Sequence, residues 1–173
     1  LSTLGDGRVS IPPTLFVGDP GIGKTEAMHW LSNRLALPFT VIDMSTAQSN
    51  SSLVGSDAVY SNSQPGELFN LLAESRFINP LILLDELDKA GGDQRFDPIA
   101  PLYSLPEQRT ARRFKDLSIR DLAINASHVN WVATANNLGS ISKAILSRFN
   151  VLEIKAPNAD QIRDIAINLY QRI

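Results

Sequence analysis

The stretch GDPGIGKT (Gly18–Thr25) follows the apolar run TLFV (Thr14–Val17) and precedes the helical pattern Lys24–Leu35. Strand, glycine-rich turn and helix in that order, with the spacing G-x-x-x-x-G-K-[ST], predict a loop that wraps a phosphate chain. Gly18, Gly21 and Gly23 carry no Cβ, so backbone N–H groups can close around the β-phosphate. The helix that follows adds the partial positive charge of its N-terminus. Lys24 is expected to reach the β- and γ-phosphates, and the Thr25 hydroxyl to ligate Mg²⁺. Asp19, Pro20 and Ile22 complete the loop, and the Asp19 side chain is expected to point away from the phosphates. The loop therefore predicts a nucleotide site with Mg²⁺.

Outward from the loop, four more apolar runs are strand-like: Phe39–Asp43, Leu81–Asp85, Trp131–Ala135 and Val151–Ile154. Near-continuous apolarity, rather than strict alternation, predicts strands buried on both faces of a parallel sheet. Helical patterns fill the gaps at Gly66–Phe77, Pro98–Leu105, Ile141–Arg148 and Asn158–Ile173. The alternation predicts an α/β fold with right-handed crossovers. The Ser/Asn/Gln-rich stretch from Ser45 to Gly66 is one long irregular segment, a kind that is usually functional or disordered.

Composition narrows the classes. The chain has 173 residues, 43% of them hydrophobic, enough for one core. Its net charge of −2 provides no global basic field to recruit nucleic acid. With no cysteine, a disulfide scaffold, a cysteine-ligated metal and a thiol nucleophile are excluded. No apolar run approaches the ~20 residues of a membrane helix, and the N-terminal residues lack a signal-peptide pattern. A cytoplasmic protein is expected. His29 and His128 lie too far apart in sequence to read as a metal pair, and His29 is expected on a helix face or in the core.

LILLDELDK (Leu81–Lys89) is a buried-strand pattern that delivers acids to a C-terminal strand end, where open α/β sheets place their sites. Asp85 is the candidate for Mg²⁺, and Glu86 suits a general base that polarises the attacking water. WVATANN (Trp131–Asn137) ends another strand in amides, so Asn136 is a candidate to hold the lytic water or the γ-phosphate. Arg148 stands between a helix and the last strand. There it is either a surface ion pair or, in a ring of subunits, a finger for the neighbour's γ-phosphate.

These four motifs in this order resemble the AAA+ ATPases and, more narrowly, the Lon branch. YSNSQPGEL (Tyr60–Leu68), NPLILLDELDKAGGDQRFDP (Asn79–Pro98), PEQ (Pro106–Gln108), WVATAN and ILSRFNVLEI are the Lon-like phrases, and they run through nearly the whole chain. The resemblance implies a P-loop NTPase core with a five-stranded parallel sheet flanked by helices, the large α/β subdomain of an AAA+ module over residues 1–173. It implies ATP hydrolysis by Lys24, Thr25, Asp85 and Glu86, Asn136 as the polar sensor, and Arg148 as the finger supplied in trans. It further implies homo-hexamers whose pore loops pull on protein substrates.

In Lon proteins the pore loop carries an aromatic, then an aliphatic residue, then a turn ending Pro-Gly. Tyr60 matches the aromatic and Pro65-Gly66 the turn, but Ser61 stands at the aliphatic position. Tyr60 packed into the base of its loop is the alternative. The segment from Pro98 to PEQ is slightly shorter than the Lon pattern. RTARRFK (Arg109–Lys115) is a basic cluster, read as a solvated face or an intersubunit contact, with a nucleic-acid contact as the alternative. The chain lacks an initiating Met and ends inside a helical pattern, so it is read as a piece of a longer protein. The helical lid is expected outside it, and the resemblance leaves two cases: a Ser–Lys peptidase domain outside this chain, or a motor that stands alone as a remodeller, which the Ser61 departure favours.

Overall fold

The computed structural model describes residues 2–3, 9–91 and 94–170. Five parallel strands form the central sheet: β1 (Thr14–Val17), β2 (Phe39–Asp43), β3 (Leu81–Asp85), β4 (Asn130–Ala135) and β5 (Asn150–Glu153). Their spatial order is β2-β3-β4-β1-β5. The order follows from burial. Leu81, Ile82, Leu83 and Leu84 of β3 are fully buried, and all six residues of β4 are buried, so both strands must sit inside the sheet.

Alternation along β3 and β4 splits the core in two. Leu81, Leu83 and Val132 meet Met28 on one face, backed by Leu31 and Phe39. Ile82, Leu84, Trp131 and Ala133 face the larger cluster, which includes Leu53, Leu68, Leu102, Phe114, Ile145 and Phe149. Each fully buried aliphatic side chain contributes about 1.5–3 kcal/mol, so these central strands carry much of the sheet's stability. β5, by contrast, is an edge strand exposed along its whole length.

The helices are α1 (Lys24–Arg34), α2 (Ser51–Val54), α3 (Glu67–Glu74), α4 (Gln108–Ala111), α5 (Lys143–Leu146) and α6 (Ala159–Tyr170). Several differ from the sequence expectation. The expected helix Pro98–Leu105 is a 3₁₀ segment, Ala100–Tyr103. Pro101 has no N–H to give, and the turn closes instead through i→i+3 bonds such as Leu102 N to Ile99 O at 2.9 Å. α3 stops short of Phe77 because Ser75 turns extended and its hydroxyl accepts the Phe77 N–H at 3.0 Å. The Ile141–Arg148 pattern shrinks to α5, capped by the Ser142 hydroxyl, which accepts from the Ile145 N–H at 3.3 Å. The last strand begins one residue earlier than expected, at Asn150. The final three residues of the Asn158–Ile173 pattern lie outside the described residues.

Because all five strands run the same way, their C-terminal ends form one edge. In register, Val17 lies opposite Ala135 and Glu153, and Asp43 lies opposite Asp85. Just beyond the strands the backbone stays tied: Gly18 N–H donates to Ala135 O at 3.2 Å, and Ile154 N–H to Val17 O at 2.7 Å.

Candidate active site

The loop between β1 and α1 leaves that edge and turns back through two glycines with left-handed backbone, Gly21 (φ 77°) and Gly23 (φ 89°). Any other residue there would be strained. Gly18 is required for a different reason: a Cβ on it would overlap the Ile154 carbonyl oxygen. Gly23 is also the N-cap of α1 and supplies no side chain, so the first-turn N–H groups lack the side-chain cap that a Ser or Asp there would give.

Beside this turn lies a cavity of about 420 Å³ lined by Pro20, Gly21, Gly23, Lys24, Thr25, Glu26, His29, Asp85, Glu86, Thr134 and Asn136. Lys24, Thr25, Asp85, Glu86 and Asn136 come from three separate stretches of sequence, and the fold brings them together here. Lys24 Nζ donates to Gly18 O (2.7 Å), Asp19 O (2.9 Å) and Asn136 Oδ1 (3.1 Å). Asp19 thus contributes its carbonyl, and its exposed side chain is not part of the cavity wall. Thr25 Oγ1 sits 3.0 Å from both Asp85 oxygens. A hydroxyl beside a carboxylate is a hard-oxygen donor set of the kind Mg²⁺ takes, and the glycine turn offers the N–H groups that phosphate takes. The residues present fit both.

Thr134, which the sequence reading passed over, holds the acid pair in place. Its Oγ1 donates to Asp85 Oδ1 and accepts the Glu86 N–H at 3.0 Å. That second bond stabilises Glu86 in a left-handed conformation (φ 55°), rare for a residue with a Cβ. The only sequence signal was a hydroxyl inside an otherwise apolar strand. His29 is on the exposed face of α1, stacked edge-on against Phe39 at 4.7 Å, and it lines the cavity rather than the core.

Arg148 is not brought to this cavity. It precedes β5, so it lies at the opposite edge of the sheet. There Nε donates to Tyr103 O (2.7 Å), Nη1 to Ala144 O (2.6 Å), and Nη2 pairs with Glu107 (3.2 Å). The guanidinium is thus held in a set pose by its own chain.

The stretch Ser45–Gly66 is less irregular than its composition implies. It contains α2, and the loop after it is braced at several points. Ser56 N–H donates to Gln64 O (3.0 Å), and Gly66 N–H to the buried Asp116 carboxylate (2.9 Å). Ala58 N–H donates to Leu117 O at 3.1 Å, and Asp57 pairs with Arg120. The Val59 backbone N–H, followed by Arg120, holds the Asp57 carboxyl below its usual pKa. On this frame Tyr60 is 56% exposed, against the alternative in which it packs into the loop base. Val59 beside it is 78% exposed, an aliphatic side chain on the N-terminal side of the aromatic where Ser61 occupies the other. The RTARRFK cluster turns Ala111 and Phe114 inward and leaves Arg109, Arg112, Arg113 and Lys115 exposed. Among the described residues no helix is long and apolar enough to cross a membrane.

Comparison with known proteins agrees with this geometry. The Lon protease of Ureaplasma parvum serovar 3 is 32% identical over 163 residues, 94% of this chain and 20% of that protein. The Lon protease of Nitrosococcus oceani is 31% identical over 155 residues, 90% of this chain and 20% of that protein. The peroxisomal Lon protease homolog 2 of Oryza sativa subsp. japonica is 31% identical over 156 residues, 90% of this chain and 18% of that protein. The chain therefore spans about a fifth of the length of these relatives. Residues 14–156, from the first residue of β1 to just past β5, match the ATPase family associated with various cellular activities (AAA), and the chain belongs to that family, with the Lon proteases among its relatives.

Proposed function

We propose that this chain is the Mg²⁺-dependent ATP-hydrolysing module of a Lon-like motor that unfolds, translocates or remodels protein substrates. The observation that carries the reading is the acid pair Asp85–Glu86, tied through Thr134 and Thr25 to the cavity beside Lys24. A loop built only to bind would not need a second carboxylate in a held, strained pose.

In this reading the first-turn N–H groups and the glycine turn bind the triphosphate. Lys24 exchanges its contacts with Gly18 O and Asp19 O for the β- and γ-phosphate oxygens. Thr25 and Asp85 would hold Mg²⁺, which supplies positive charge to offset the phosphate oxygens. Asn136 orients the γ-phosphate or the water. Glu86 accepts a proton as water attacks the γ-phosphorus and the bond to the bridging oxygen breaks, releasing ADP and phosphate. A positioned general base of this kind contributes about 10²–10⁴-fold.

The tethered pose of Arg148, away from its own cavity, supports a role across a subunit boundary in a homo-hexamer. Arg148→Ala is expected to leave ATP affinity unchanged and to lower turnover about 10³-fold or more in the assembled ring. Mixing that variant with Lys24→Ala subunits checks it, since each defect then falls on a different side of a shared site and some activity should return.

The protein-substrate part rests on the exposed Val59–Tyr60 pair. Phosphate release by the full-length protein, with and without an unfolded polypeptide, tests it. Stimulation that Tyr60→Ala removes, while basal hydrolysis stays near wild type, is the expected result. Hydrolysis that ignores polypeptide but responds to DNA in a salt-dependent way, and loses that response in Arg112→Ala/Arg113→Ala, would assign the load to nucleic acid instead.

A further inference from the structure

The 3₁₀ turn Leu87–Lys89, which follows β3, fastens several neighbours of the cavity at once. At its entry, the Glu86 backbone is fixed by its N–H bond to Thr134 Oγ1 (3.0 Å) and by the Lys89 N–H, which donates to Glu86 O at 2.9 Å. In its middle, Asp88 Oδ2 accepts from Asn137 N and Nδ2 at 3.3 and 3.4 Å, and Asp88 O accepts from Ser140 Oγ at 2.7 Å. The turn is thereby pinned to the loop that carries Asn136.

At its end, the Lys89 side chain doubles back and donates to Glu86 Oε1 at 2.6 Å. Glu86 is a wall residue of the cavity and Lys89 is not. One oxygen of the carboxylate is therefore held by a cation that does not line the cavity, while hydrogen bonds hold the backbone beneath it. The Glu86 hydrogen bond, with the charges of Glu86, Asp88 and Asp43, raises the Lys89 pKa, so the ammonium is fully charged at neutral pH.

We propose that Lys89 is a positioning residue that restrains the general base: it holds Glu86 off the line of attack, and the pair must open for hydrolysis. The inference rests on the reading of Glu86 as the base. With side chains 50% and 35% exposed, the pair is a solvent-facing one, and such pairs bias an equilibrium by up to about fivefold. That strength suits a restraint which added charge in the cavity can overcome.

Single-turnover ATP hydrolysis by the full-length protein, alongside the affinity for a fluorescent ATP analogue, tests the proposal. Lys89→Met keeps the stem and removes the charge. It is expected to raise the hydrolysis rate about two- to fivefold with affinity unchanged, a split that general loosening of the turn would not produce. Lys89→Arg should bring the rate back toward wild type, and Lys89→Met placed on Glu86→Gln should gain nothing. A Lys89→Met rate equal to or below wild type overturns the proposal while leaving Glu86 as the base. A wild-type rate in Glu86→Gln alone would remove the base, and the restraint with it.

Discussion

Lys24→Ala is expected to abolish detectable nucleotide binding at concentrations that only just saturate wild type. Among the described residues lining the cavity Lys24 is the only lysine or arginine, and its ammonium donates to three acceptors, Gly18 O, Asp19 O and Asn136 Oδ1. Each hydrogen bond from a charged donor is worth about 1.5–3 kcal/mol. Two such bonds to phosphate oxygens amount to about 3–6 kcal/mol, so affinity should fall by at least ~100-fold. The fold should survive, because Lys24 lies at the first turn of α1 and the central strands do not depend on it. Isothermal titration with ATP, next to a thermal melt of both proteins, separates lost binding from lost structure. Retained affinity in a folded variant would mean that the glycine loop is not the site.

Glu86→Gln is expected to do the reverse: bind ATP as well as wild type and stop turning it over. The amide keeps the shape of the carboxylate, and the backbone bond to Thr134 that sets its pose is untouched. Thr25 and Asp85 keep their mutual contacts, so a metal site there persists. What disappears is the proton acceptor, at a cost of about 10²–10⁴-fold in rate. Phosphate release under saturating ATP measures it. A rate within tenfold of wild type would remove Glu86 from the mechanism.

The phosphate loop was legible because its constraint is written in residue types: two positions need left-handed backbone, one cannot hold a Cβ, and all three are glycine. β3 and β4 were legible for a related reason, since strands buried on both faces draw mainly on apolar residues, Leu and Ile in β3 and Trp, Val and Ala in β4. Even the exposed edge strand β5 stood out, through Val151 and Leu152, although its start moved by a residue. Lost to the sequence were contacts made by side chains that any of several types might occupy. Thr134 reads as a strand residue until β3 is laid beside β4 in register. The tether of Arg148 to Tyr103 and Glu107 spans a long sequence separation and a segment expected to be α-helical. The Glu86–Lys89 pair follows from a three-residue turn in 3₁₀ geometry, which no periodicity announces. Val59 was overlooked because the expected order of aromatic and aliphatic drew attention to Ser61, while exposure is decided by how the loop is braced from Leu117 and Arg120.

The measurement that tests the central claim most directly is a crystal structure of Glu86→Gln with ATP, using Mn²⁺ in place of Mg²⁺ so that anomalous scattering locates the metal. The account predicts a triphosphate running along Gly21–Thr25, Lys24 Nζ on its β- and γ-oxygens, and the metal on Thr25 Oγ1 beside Asp85. A nucleotide seated elsewhere, or a metal that touches neither Thr25 nor Asp85, would contradict it.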